Sequence, residues 1–243
     1  MGTKSGASTQ TKGVSIITCT KRPAYIDRLF QNFHSQRWKK KELIIVINKD
    51  DLPLENYQKR AKRYKNVTVY KLPEATSLGA CLNFAVKKAR YDYVAKFDDD
   101  DYYGPLYLTE CMGIFQKTNA DIVGKRAHFM YLSGSRTLLL RFYNAENKYV
   151  AVVPGATLVM KRDVFGKVRF ADVNLGEDHR FCNDSRAKGF TIFSGSKWHF
   201  AAIRRKNSAG HTWIITEKRL RANRAKMMPH PVDLKSFING SKK

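Results

Sequence analysis

Residues 93–101 read Tyr93-Val94-Ala95-Lys96-Phe97-Asp98-Asp99-Asp100-Asp101. The apolar and aromatic start reads as a buried strand. The strand runs straight into four carboxylates. Adjacent carboxylates repel one another unless something cationic sits among them. A run of acids is ordinarily a solvated loop, but this one is joined to a strand and so is fixed at a strand end. Carboxylate oxygens there suit a hard divalent cation, Mn²⁺ or Mg²⁺, of the kind that bridges protein carboxylates to phosphates.

The chain before this stretch alternates strands and helices. Val14 to Thr20 is a β-branched strand closed by Lys21-Arg22-Pro23. Tyr25 to Gln36 places Ile26, Leu29, Phe30 and Phe33 at helical spacing. Glu42 to Ile47 is a second strand, ended by the polar loop Asn48 to Asp51. A basic helix at Glu55 to Tyr64, a strand at Val67 to Lys71 and a helix at Gly79 to Arg90 follow. This order predicts an α/β fold, a single Rossmann-like mixed sheet with helices on both faces. Ligands of such sheets bind beyond the carboxyl ends of the strands. The loops at 18–23, 48–51 and 98–101 should therefore meet.

The second half is less regular. Helices are expected at Tyr107 to Lys117 and His179 to Ala187, the latter behind Gly176-Glu177-Asp178. Strands are expected at Asp121 to Tyr131, Thr137 to Tyr143, Val150 to Val153, Thr157 to Lys161, Thr191 to Phe193 and Trp198 to Ile203. Thr216 to Met228 reads as a basic helix stopped by Pro229 and Pro231. No repeat or linker divides the chain. The expected organisation is a flexible tail at 1–12, one domain at 13–215 with halves at 13–104 and 105–215, and a basic helix and tail at 216–243.

Composition fixes the sign of the partner. The 243 residues carry 45 Lys and Arg against 21 Asp and Glu, a net charge of +24. With 43% hydrophobic residues the chain has enough apolar material for a sizeable core, which excludes a disordered basic tail protein. No apolar run is long enough for a membrane span, and residues 1–12 lack the apolar region of a signal peptide. Cys19, Cys81, Cys111 and Cys182 are far apart, with no CxxC. Buried reduced thiols in a cytosolic protein are expected. Nucleic acid, an anionic membrane surface and a phosphorylated substrate all answer the positive charge. No helix-turn-helix, zinc-finger or RNP-type motif is evident, so no sequence-specific nucleic-acid partner is expected, although a nucleic-acid-binding or catalytically inactive binding protein on the same fold is the rival reading.

Taken in order, Val14 to Pro23, Glu42 to Asp51, Leu78 to Asn83, Val94 to Asp101 and Gly176-Glu177-Asp178 resemble the inverting, bacterial-type family-two glycosyltransferases of the GT-A fold. The resemblance covers about residues 13 to 190. It implies transfer of a sugar from a nucleotide-diphosphate sugar, a UDP-sugar foremost, to an acceptor hydroxyl in cell-surface glycan or glycoconjugate synthesis. It assigns Thr18, Thr20 and Arg22 to the nucleobase and ribose. Asn48 and Asp50 fall where the family reads the base, with Asn48 standing where an acid is usual. Gly79 and Asn83 match a segment near the donor. Asp98 and Asp100 match the D-x-D aspartates: Asp100 toward the metal, and Asp98 or Asp99 toward ribose and metal-bound water. Asp178 is implied as the base, with Glu177 its neighbour or an acceptor ligand.

Further residues carry two readings each. His199 is a third metal ligand or a structural histidine. Arg204, Arg205 and His211 contact the diphosphate from a mobile loop, or belong to a solvated basic loop. Trp198 and Trp213 stack on a sugar or pack in the core. Gly155-Ala156 lies near acceptor and donor sugar or forms a tight turn. The basic stretch at 218–226 is a solvated helix or a dock for an anionic membrane or polymer. A cytoplasmic location at the inner face of the membrane, with an anionic acceptor, is the corresponding expectation.

Overall fold

Apolar runs in the first hundred residues build the sheet that carries the aspartates. The computed structural model describes residues 12–222, 224–229 and 231–240. Apart from Lys12, the expected tail lies outside these residues. The first half comprises β1 (Val14–Thr20), α1 (Ile26–Ser35), β2 (Lys41–Ile47), α2 (Leu54–Ala61), β3 (Val67–Lys71), α3 (Leu78–Lys88) and β4 (Tyr93–Lys96). The second comprises β5 (Tyr102–Tyr103), α4 (Tyr107–Lys117), β6 (Ile122–Gly124), β7 (His128–Leu132), β8 (Thr137–Arg141), β9 (Lys148–Tyr149) and β10 (Val159–Lys161), then α5 (Glu177–Ala187), β11 (Ile192–Ser194), β12 (Phe200–Arg204), α6 (Glu217–Ala222), β13 (Ala225–Met228) and α7 (Leu234–Ile238).

The large sheet has the order β3-β2-β1-β4-β10-β6-β11-β9. β1 pairs in parallel with both β2 and β4, and β10 runs antiparallel between β4 and β6. Both faces are covered, which explains the continuous apolar runs. Ile16 and Ile45 pack on one side with residues of α1, α2 and α4, such as Phe30, Tyr57 and Met112. Ile17 and Val46 pack on the other with Leu82 and Ala85 of α3 and Phe181 of α5. Chain order reverses between β1 and β4, so a crevice opens where the loops at 18–23 and 98–101 leave the sheet.

A second sheet, ordered β13-β8-β7-β12-β5, adds to the single sheet read from the sequence. The strand expected at 121–131 is in fact two. It breaks at Lys125 and Arg126, whose N–H groups donate to Thr157 Oγ1 at 3.0 Å and Ser194 Oγ at 2.9 Å. Side chains thus draw the backbone off the ladder, and β7 enters the smaller sheet. The stretch expected as a strand at 150–153 is a loop, and the nearby strand is β9.

The basic helix expected from Thr216 to Met228 also needs correction. α6 ends at Ala222, and residues 225–228 form β13, antiparallel to β8 from Ala225↔Arg141 to Met228↔Leu138. An unpaired edge of β8 accepts this segment, so ladder hydrogen bonds override a modest helix preference. Arg224 turns the chain with φ 47° and its carbonyl accepts the Phe142 N–H at 2.7 Å. Among the described residues no helix is long and apolar enough to cross a membrane.

Candidate active site

A cavity of about 850 Å³ opens at the carboxyl ends of β1 and β4. Thr20, Arg22, Asp98, Asp100, Asp178 and His211 are on its walls. The loop at 98–101 is held from several sides. Thr20 Oγ1 donates to Asp99 Oδ2 at 2.5 Å, and Asn32 Nδ2 to the Asp101 carbonyl at 2.9 Å. The Ile203 N–H donates to Asp101 Oδ1 at 2.8 Å, which ties the loop to β12. Burial, then Asp100 and Asp98, push the Asp101 carboxyl well above the usual range. Asp101 is therefore an anchor between the two sheets.

Arg22 spans two of the aspartates. Its guanidinium pairs with Asp99 and donates from Nη1 to Asp100 Oδ2 at 2.8 Å. Burial works against the charge of Arg22, but Asp99 and Asp100 outweigh it, and the net shift strengthens the guanidinium's hold on its proton. Burial raises the Asp99 carboxyl, with Arg22 opposing and Asp100 adding to the rise. Nη1 of Arg22 also donates to the Gly210 carbonyl at 3.1 Å.

That last bond brings the segment at 205–213 over the aspartates. Arg205 Nη1 lies 3.4 Å and His211 Nδ1 3.6 Å from Asp100 Oδ2. Burial, then Arg204, lower the His211 imidazole to about 4, so it is neutral near pH 7 and its contact with Asp100 is polar rather than ionic. The Arg205 N–H donates to His211 Nε2 at 3.2 Å. This assigns the ring proton to Nδ1, on the side of Asp100.

The opposite wall carries the acidic pair in the first turn of α5, where the helix dipole favours negative charge. The Asp178 carboxylate is fixed at both oxygens. Oδ2 accepts the Gly155 N–H at 2.8 Å and Oδ1 accepts the His179 N–H at 2.7 Å. A Cβ on residue 155 would lie 2.6 Å from that Oδ2, so only glycine lets the backbone approach so closely. Glu177 is buried, and burial raises its carboxyl, with Lys96 opposing. Lys96, 4% exposed, pairs with Asp98. Burial opposes its charge, but Asp98, Glu177 and Asp178 together strengthen its hold on the proton. One buried ammonium thus serves both the aspartate loop and the acidic pair.

Several expected residues stand elsewhere. Thr18 is buried in β1 and does not line the cavity. Asn48 lines it, but its Nδ2 donates to the carbonyls of Pro73 at 2.9 Å and Thr76 at 3.0 Å. Asp50 accepts the Glu74 N–H at 3.1 Å, away from the cavity wall. Gly79 and Asn83 hold the segment that leads to the acidic pair. Asn83 bonds the Phe170 carbonyl and N–H at 2.8 and 3.0 Å, and a Cβ at 79 would sit 1.8 Å from the Ala171 oxygen.

Arg204 lines the cavity, with Nη2 donating to Ser208 Oγ at 3.1 Å and the Trp213 carbonyl at 2.6 Å. His199 is outside the cavity, held by its N–H on the Ile238 carbonyl at 2.8 Å. Trp198 packs between Phe129 and Phe237. Trp213 is 45% exposed at the cavity wall. Among the described residues no group of three or more His, Cys, Asp or Glu is arranged to hold a metal ion. Lys96, Arg126 and Arg141 also line the cavity and were not singled out from the sequence. Lys96 had a legible signal, a charge inside an otherwise apolar strand.

The family model for glycosyl transferase family 2 matches residues 15–168. The O-antigen biosynthesis glycosyltransferase WbnJ of Escherichia coli is 29% identical over 168 residues, which are 64% of this chain and 64% of the relative. In fold, the chain is similar to S. aureus TarS 1-349 in complex with UDP-GlcNAc, with a TM-score of 0.67 and 15% identity over 86% of this chain and 64% of that one. It is also similar to the mannosyltransferase PcManGT from Pyrobaculum calidifontis in complex with GDP-Man and Mn²⁺, with a TM-score of 0.59 and 15% identity over 81% of this chain and 57% of that one. The chain thus spans less than two thirds of these relatives' own lengths. The matched model covers most of the chain, including the strands that carry the aspartate loop, and this protein belongs to glycosyl transferase family 2.

Proposed function

We propose that the chain transfers a sugar from a nucleotide-diphosphate sugar, a UDP-sugar foremost, to an acceptor hydroxyl with inversion at the anomeric carbon. One observation carries the reading. The Asp98 and Asp100 carboxylates and the Glu177-Asp178 pair face a single cavity at the switch point of the sheet, linked by Lys96. The nucleotide-sugar complexes of the two structural relatives support it.

Asp98 and Asp100 fit a hard divalent cation. Both are on the cavity wall, and Asp100 Oδ2 already draws Arg22, Arg205 and His211 to within 3.6 Å. His199 does not fit, because it lies outside the cavity. Bound at these carboxylates, Mn²⁺ or Mg²⁺ supplies positive charge for the leaving diphosphate. Arg22, Arg204 and His211 line the cavity where the same group would lie, with Arg205 beside Asp100 off its wall, and a guanidinium matches phosphate oxygens with two bonds. Thr20 and Asn48 line the nucleoside end, with Asp99 fixed behind them.

Asp178 takes the proton of the acceptor hydroxyl as it attacks, and Glu177 shapes the acceptor's approach. The backbone N–H groups of Gly155 and His179 hold the base in one orientation, so catalysis rests on positioning and on charge already in place. We assign the acceptor to cell-surface glycans or glycoconjugates and the chain to the cytoplasmic face of the membrane. The name of the E. coli relative and the net charge of +24 support this.

The test is a thermal-shift screen of nucleotide sugars with Mn²⁺, followed by transfer assays on Asp178→Asn. The expected result is an undiminished shift with one donor and a loss of turnover of about 10³-fold. No shift with any nucleotide sugar would overturn the reading.

A further inference from the structure

The wall of the cavity formed by the smaller sheet carries a cationic pair that the proposed transfer does not use. Arg126 lies where the chain leaves β6 for β7, and Arg141 ends β8. Both line the cavity. Arg141 is 4% exposed. Its Nη1 donates to the Leu220 carbonyl at 3.0 Å, and its buried Nε has no partner among the described residues. The Arg126 guanidinium lies 3.7 Å from the centre of the Phe142 ring, and that of Arg141 lies 5.2 Å from the same ring. Phe142 has φ 48°, a left-handed conformation that is costly for an aromatic residue. It is held there by its N–H on the Arg224 carbonyl. The strain puts one ring against two guanidiniums.

No carboxylate pairs with either arginine among the described residues. Burial, then Arg126, weaken the proton affinity of Arg141, and burial, then Arg224, do the same to Arg126. Arg141 is buried and Arg126 half-buried; a buried cation without a counter-charge is expensive, and a bound anion supplies what is missing. Cys182, one turn beyond Asp178 on α5, feels the charge of both Asp178 and Arg126. Arg126 and Arg141 thus line the same cavity as Glu177 and Asp178.

We propose that Arg126 and Arg141 bind a phosphate or carboxylate group carried by the substrate, so that one partner in the sugar transfer is anionic beyond the nucleotide's own diphosphate. This rests on the transferase reading. Such a group has two sources, an acceptor bearing a phosphate ester or a donor bearing a uronate.

Two calorimetric comparisons separate them. In the first, glycerol 3-phosphate and glycerol are titrated into protein saturated with UDP and Mn²⁺. In the second, UDP-glucuronate is compared with UDP-glucose. In one arm the anionic ligand should bind at least about tenfold more tightly than its neutral partner, and Arg126→Gln should erase the preference while Arg126→Lys restores part of it. Protection of Arg126 from phenylglyoxal by the preferred ligand, read by mass spectrometry on the unmodified sequence, keeps the test open where the glutamine variant does not fold. No preference in either arm, a preference that survives Arg126→Gln, or an unprotected Arg126 would overturn the proposal. UDP binding is measured first. Its absence sinks the transferase reading, and the glycerol 3-phosphate arm on nucleotide-free protein then still reads the arginine pair.

Discussion

The Asp178 carboxylate and the Gly155 backbone are in direct contact: Oδ2 accepts the Gly155 N–H at 2.8 Å, and a Cβ on residue 155 would lie 2.6 Å from that oxygen. Gly155→Ala should therefore push the carboxylate aside without touching the aspartate loop. A misplacement of a reacting group by about 1 Å costs on the order of 10²-fold in rate. We expect that loss in turnover, with the affinity for UDP and Mn²⁺ unchanged. An alanine variant with full turnover would mean that Asp178 is not the positioned base.

The segment at 205–213 is held over the aspartates by Arg22 on the Gly210 carbonyl and by Arg205 and His211 beside Asp100. Asp100→Asn removes the charge that gathers these groups. Amide hydrogen exchange should then rise selectively across this segment, since local opening follows the loss of local contacts. The metal-dependent part of UDP binding should fall in the same variant. Unchanged exchange across 205–213 would show that other contacts, such as Arg204 on the Trp213 carbonyl, hold the segment by themselves.

The first half of this fold was legible because its signals are local. β1, β2 and β4 are short apolar runs with polar ends, buried on both faces, and β3 is an edge strand legible from its β-branched and aromatic residues. Asp98 to Asp101 stood out for the same reason. The second half depends on contacts between distant residues. The break between β6 and β7 is made by Thr157 and Ser194, and β13 forms because β8 offers an edge. Neither cause lies near its effect in sequence. Gly79 and Asn83 were placed at the donor by resemblance, but their bonds go to residues 170–173. Arg126 and Arg141 are indistinct among 45 basic residues in the sequence, since only their place on the cavity wall and the missing counter-charge set them apart.

His128 faces the cavity, fully enclosed, with its Nδ1 2.9 Å from the Arg126 carbonyl. Burial lowers its imidazole to about 4, with Arg141 and Arg126 adding to the fall. Folding therefore releases a proton wherever the unfolded histidine, at its usual value of about 6.5, is charged. The stability this group contributes is present above that value and is lost as pH falls toward 4, up to about 3 kcal/mol. Asp99, Asp101 and Glu177 are raised and act in the opposite sense, gaining stability as they protonate. Those carboxylates are common to the parent and to His128→Phe, so the difference between the two urea-unfolding profiles isolates the histidine. The variant should lose less stability between pH 6.5 and pH 4. Parallel profiles would show that His128 is not buried neutral.

Asn83 distinguishes a scaffold role from a donor contact. Its amide makes both bonds to the Phe170 peptide, and Gly79 receives the same segment against α3. Asn83→Ala strands a carbonyl and an N–H, each a loss of about 1–3 kcal/mol when buried. With Phe170 buried and Asn83 half-buried, the expected total is about 2 kcal/mol, a fall of several degrees in Tm. Because residues 170–176 lead into Glu177 and Asp178, turnover should drop as well. UDP affinity should not, since Asn83 is not on the cavity wall. A variant that keeps its Tm but loses UDP affinity would return Asn83 to the donor site. Asn83→Asp separates the two halves of the bond: the carboxylate still accepts the Phe170 N–H but faces the Phe170 carbonyl without a donor, so it should be less stable than the parent while leaving nucleotide binding intact.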